Sequence, residues 1–165
     1  MLMRNSGSKK LWLWLGMGLL GAVGVAALRS ESPSGSHLLV GRIWVDRLPT
    51  KDTEHFEAFL AVEDPSMGVF QRTSSYEGSF EIFKYEPRGD GKLQMLFPQS
   101  KTKVDVKYEA KTCSEQDFDY CLTMSGAPRG ASKYVSKKGW EIEGANAGEI
   151  EAAFDDWKEK NLPKE

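Results

Sequence analysis

Lys103-Val104-Asp105-Val106-Lys107-Tyr108-Glu109 alternates polar and apolar residues without a fault. Successive side chains of a β-strand point to opposite faces, so Val104, Val106 and Tyr108 are predicted on one buried face. Less regular runs of the same kind cover residues 39–47, 55–62, 68–75, 79–85, 92–97, 118–124 and 140–143. Turn-forming groups separate them: Leu48-Pro49-Thr50-Lys51-Asp52, Glu63-Asp64-Pro65-Ser66, Tyr76-Glu77-Gly78, Pro87-Arg88-Gly89-Asp90-Gly91, Pro98-Gln99-Ser100 and Gly126-Ala127-Pro128-Arg129-Gly130. Asp90-Gly91 tolerates the positive φ of a tight hairpin. Seven or eight short strands with short connections predict an all-β fold, an antiparallel meander closed as a barrel or packed as a sandwich.

The period changes near the C-terminus. Ile150, Ala153, Phe154 and Trp157 recur at helical spacing among Glu149, Glu151, Asp155, Asp156, Lys158, Glu159 and Lys160. Asn146 followed by Glu149 has the form of a capping box, and Pro163 marks a stop, so a helix is predicted over about 147–160. Its apolar stripe should lay Phe154 and Trp157 against the outside of the sheet.

The N-terminus differs again. Residues 11–28 form an uninterrupted apolar run directly after Lys9 and Lys10. Basic residues, an apolar stretch and then small residues are the order of a secretory signal, with Val25 and Ala27 placed for cleavage after Ala27. The run is also close to the roughly 20 residues that span hydrocarbon. Residues 1–29 are therefore expected to be a signal peptide or an uncleaved transmembrane anchor. Either puts the rest of the chain outside the cytoplasm, periplasmic or extracellular, with the membrane touched only through this segment. Residues 30–37, rich in Ser, Pro and Gly, read as a flexible linker, and 38–165 as a single domain.

A meander of about eight strands followed by one amphipathic helix resembles the lipocalin or calycin barrel, over about residues 38–160. That family's first strand carries a Gly-x-Trp motif. This chain has Gly41-Arg42-Ile43-Trp44, with one residue more, and a one-residue shift reverses the face a strand residue occupies. No ligand-binding residue is carried over from the resemblance.

Composition narrows the function classes. Apolar residues are 40% of the chain and charged residues 28%, enough for a packed core. Setting aside Arg4, Lys9 and Lys10 leaves 19 basic against 24 acidic residues over 28–165, with the basic ones dispersed. Nucleic-acid binding, which needs a basic surface, is not expected. Cys113 and Cys121 are the only cysteines, and in an oxidising compartment they are expected to form a disulfide. Zinc is disfavoured because His37 and His55, the only histidines, are far from this pair in sequence.

Catalytic signals are absent from the motifs. No Gly-x-Ser-x-Gly elbow and no phosphate-binding glycine motif occurs. Glu115, Asp117 and Asp119 alternate between the cysteines, yet the Gly and distal Glu of a calcium loop are missing, so a solvated acidic loop is expected. Arg88-Gly89-Asp90 is explained by its turn. No catalytic residue, metal or cofactor is assigned. The feature that carries function is aromatic content on both strand faces. Trp44, Phe80, Phe83, Tyr85, Tyr108 and Tyr120 are the candidate lumen or packing aromatics. If the lumen is not filled by them, it is a pocket for a small apolar ligand. The expectation is thus a non-enzymatic binding protein for such a ligand. The alternative is a membrane-tethered accessory module with a filled core and an envelope protein as partner, and a secreted hydrolase stands third.

Overall fold

The structure, a computed structural model, describes residues 35–74, 77–142 and 147–163. A short helix α1 (Ser36–Leu39) precedes β1 (Arg42–Val45), β2 (Phe56–Val62), β3 (Met67–Thr73), β4 (Gly78–Gly89), β5 (Lys92–Phe97), β6 (Thr102–Glu115), β7 (Phe118–Ser125) and β8 (Lys133–Ser136), and α2 (Ala147–Asn161) follows. The strands pair in chain order, all antiparallel, and β8 returns to β1, closing an eight-stranded barrel. This is the meander barrel with a terminal helix that the periodicity predicts, and it is consistent with a calycin-like architecture. The expected segment 1–29, most of the linker, Tyr76 and the Asn146 cap lie outside the described residues.

Alternation sorts the side chains as expected. Trp44, Phe59, Phe70, Phe83, Met95, Val106 and Leu122 point inward to one core cluster, while Ile43, Val45, Phe56, Ala58 and Leu60 point outward to a second. α2 covers the second cluster: Phe154 and Trp157 are buried there, with Trp157 against Phe56 and Trp140 at ring separations of 5.9 and 5.1 Å. β1 and β2 are accordingly apolar on both faces, as strands sandwiched between two layers must be.

Three expectations need correction. The strand expected over residues 140–143 is not formed by its described part, 140–142: Trp140 and Ile142 lie over the outer cluster, and an isolated bridge links Glu141 to Arg42. The last strand is Lys133–Ser136, whose buried Ser136 hydroxyl donates to the Ile43 carbonyl at 2.7 Å across the barrel seam. The linker ends earlier than expected, because Ser36 and His37 belong to α1, and the Gly35 amide already bonds the Ala110 carbonyl.

α1 closes one end of the barrel. Leu38 and Leu39 enter the inner cluster, and the Trp44 indole N–H donates to the Leu39 carbonyl at 3.1 Å. Gly41 sits before β1 with φ +68, a left-handed conformation that suits glycine, so Trp44 reaches the lumen despite the extra residue. Over the same end lies the Arg42 guanidinium, 3.8 Å above the Tyr120 ring and bonded to Glu141 at 2.8 Å. The Cys113–Cys121 disulfide, with Cα atoms 5.7 Å apart, ties β6 to β7 at the register shift between Thr112 and Glu115, within which Cys113 lies.

Candidate functional site

The lumen has little room for a ligand. Trp44, Phe83, Met95, Val106 and Leu122 are 0% exposed, and the Phe83 ring lies 5.8 Å from Phe59, 5.1 Å from Phe70 and 6.0 Å from Phe97. Gly68 is what lets this ring in: a Cβ there would overlap both the Phe83 ring and the Leu60 carbonyl. Tyr134 completes the layer, its hydroxyl accepting the Ala131 amide at 2.7 Å, and burial pushes its pKa far above the ordinary phenol value. The space left near α1 is a recess of about 190 Å³, lined by His37, Leu39, Tyr85, Leu93 and Tyr108 among others. Tyr85 donates there to the Val62 carbonyl at 2.9 Å, and both tyrosines titrate above their usual range because they are partly desolvated.

The larger cavity is outside the barrel. A groove of about 420 Å³ runs between α2 and the outer faces of β2, β3 and β4. Register builds its floor in rows. Leu60, Val69 and Ile82 stand side by side across the three strands, and Ala58, Gln71 and Phe80 form the next row. Ile150 and Phe154 form the helix wall, and Glu151, Asp155 and Lys158 recur at helical spacing along its rim. Asp155 pairs with Lys158 at 2.5 Å, leaving Glu151 without an ion pair among the described residues. At the far side Phe80 is 69% exposed, the exposed large hydrophobic residue of the described chain.

Of the six candidate aromatics, five belong to the barrel interior: Trp44, Phe83 and Tyr85 buried, Tyr108 and Tyr120 packed against them. Phe80 alone of the six turns outward into the groove. On α2 the helical spacing marked Ile150 and Phe154 as apolar but not as a groove wall, because that role depends on where the helix lands. The visible hint was apolar Val69, Phe80 and Ile82 on outward positions of adjacent strands.

Other candidates are not assembled. His37 lies on α1 and His55 precedes β2, at opposite ends of the barrel, since the β1–β2 pairing places Ala61 and not His55 beside α1. His55, half-buried, is 3.9 Å from the exposed Glu77. Glu57 titrates above the usual carboxylate range, because it is partly buried and close to the Asp46 carboxylate. Glu115 and Asp117 are exposed, and Asp119 accepts the Lys138 amide at 2.9 Å. Glu115 lies near Cys113 and Cys121, but the two sulfurs are bonded to each other and offer no thiolate to a metal. Arg88-Gly89-Asp90 forms the β4–β5 turn, with Gly89, Asp90 and Gly91 all at positive φ, which accounts for these residues by conformation alone. A scan of protein-family models, a search of curated proteins and a search of solved structures each find no match to this chain.

Proposed function

We propose that this protein is a non-catalytic binding module, held outside the cytoplasm by residues 1–29, that engages its ligand from the outer wall of the barrel. The filled lumen is the observation that carries this reading. A carrier needs an internal cavity matched to its cargo, and the inward aromatics occupy that space themselves. The groove beside α2 is larger than the interior recess and has an exposed aromatic at its edge, a residue type suited to anchoring a contact. The calycin-like outline supports a binding role by shape only, and the outer groove takes the place that the lumen held in the expectation.

Photo-cross-linking in the producing cell tests this directly. A benzophenone amino acid replaces Phe80 in one variant and Lys107, outward on β6 away from the groove, in another. Adducts from position 80 and none from 107 are expected. Equal adducts from both positions, or none from position 80, would overturn the proposal.

A further inference from the structure

We infer that the free edge of β4 pairs with the same edge of a second copy of this chain. This rests on the outer-wall binding proposed above and deepens it by naming the partner. β4 has 12 residues and β5 has 6, so the β4–β5 ladder begins at Lys84 and leaves Gly78–Ile82 paired on the β3 side alone. Backbone groups alternate sides along a strand. The Tyr85 amide bonds the Ser66 carbonyl on the β3 side, so the amides and carbonyls of Phe83, Glu81 and Ser79 also face β3. Those of Ile82, Phe80 and Gly78 face the open edge, where no backbone bond reaches them among the described residues. Donors and acceptors at every second residue fit an extended strand and no other backbone form.

The edge also lacks the usual protection. Natural sheets blunt exposed edges with Lys or Pro. Neither lies within residues 78–82, and the one charge there, Glu81, is held by Arg129 at 2.6 Å. Phe80, 69% exposed, stands at the middle of the segment.

Two-fold symmetry selects the second copy. A dimer axis makes the strand meet itself antiparallel, and the residues that face the edge must then lie opposite one another. With the axis at Phe80, Gly78 of one copy meets Ile82 of the other and Phe80 meets Phe80, so every edge-facing amide and carbonyl of both copies is bonded. In the alternate positions Glu81 meets Ser79, so no like charges oppose. The two Phe80 rings, otherwise in water, cover each other. So short a ladder buries less than the roughly 1,200 Å² of a stable interface. The copies therefore associate where the membrane that holds residues 1–29 raises their effective concentration.

The test uses the full-length chain in phosphatidylcholine vesicles, with donor- and acceptor-labelled copies mixed and association read by energy transfer at increasing protein density. Phe80→Lys places two like charges across the axis and should weaken association at least about tenfold, as should Phe80→Glu, whereas a mixture of the two variants should restore it. Phe80 is exposed, so neither substitution empties a packed site, and circular dichroism verifies folding. Association unchanged by either substitution, or a mixture as weak as the single variants, would overturn the inference. In the producing cell, benzophenone at position 80 should give adducts of twice the chain mass, linked within residues 78–82 of the other copy. Adducts to another protein and not to a second copy would overturn the inference and leave the outer-wall binding module standing. No adducts from that position would overturn both.

Discussion

Phe83→Ala removes the ring at the centre of the lumen. The ring is 0% exposed, and its neighbours Phe59, Phe70 and Phe97 stand on three different strands of a closed barrel. Those strands are fixed by ladders on both sides, so the site cannot collapse far. A void on the order of 100 Å³ costs about 2.4 kcal/mol at about 24 cal/mol per Å³. The lost transfer energy of the ring adds about 2 kcal/mol. Together these place the variant near the top of the usual range of about 3–5 kcal/mol, a large share of a domain stability of roughly 5–15 kcal/mol. Urea unfolding midpoints of the two proteins give the difference. A dry apolar cavity of this size should also take up benzene, so benzene should raise the midpoint of Phe83→Ala and leave the parent protein unchanged. A loss below about 1.5 kcal/mol, or equal benzene stabilisation of both proteins, would show that the lumen is not filled as described.

Three further outcomes follow from the same packing. Trp157→Ala empties the site between Phe56, Trp140 and Phe154 and should cost about 3–5 kcal/mol, while Asp156→Ala, exposed and paired with Lys160, should stay within about 0.5 kcal/mol; equal urea midpoints would mean that α2 is not docked. Replacing Cys113 and Cys121 together by Ser frees a loop spanning a sequence separation of 8 and should lower stability by about 2.5 kcal/mol on chain-entropy grounds, an effect absent if the parent is already reduced. Burial, with the nearby Asp46 carboxylate, raises the Glu57 pKa above the usual carboxylate range, so the stability linked to its proton is full below that range and lost as pH rises through the raised value. Glu57→Gln should therefore melt higher than the parent at about pH 7 and converge with it at about pH 4, since the exposed Arg72 contact at 3.9 Å is too weak to reverse the sign; a lower melting point at neutral pH would refute this.

The barrel was legible where one rule governs a whole segment. The alternation of Lys103–Glu109 identified the middle of β6, and the spacing of Ile150, Phe154 and Trp157 identified α2 and its buried face. The C-terminal end of β6 was not legible, because the register shift between Thr112 and Glu115 interrupts the period. β8 was missed for its length: Lys133–Ser136 is too short to show a period. Trp140 and Ile142 alternate as a strand would, yet they serve as a cover for the outer cluster. The groove was beyond reach because two of its lining residues, Phe80 and Ile150, stand 70 positions apart in the chain, and only packing sets their spacing. Pattern along the chain reports which residues face inward or outward; it does not report whether a lumen is full or which outward strands a helix leaves uncovered.

Methyl NMR under xenon pressure tests the central claim most directly, because xenon enters open apolar space and the branched aliphatic residues divide between the two sites. Leu60, Val62, Val69, Ile82 and Ile150 line the groove, while Leu93, Val106 and Leu122 lie in the lumen. Saturable shifts confined to the groove methyls are predicted. Shifts at Leu93, Val106 and Leu122 with the groove methyls unmoved would contradict the account and return the ligand to the barrel interior.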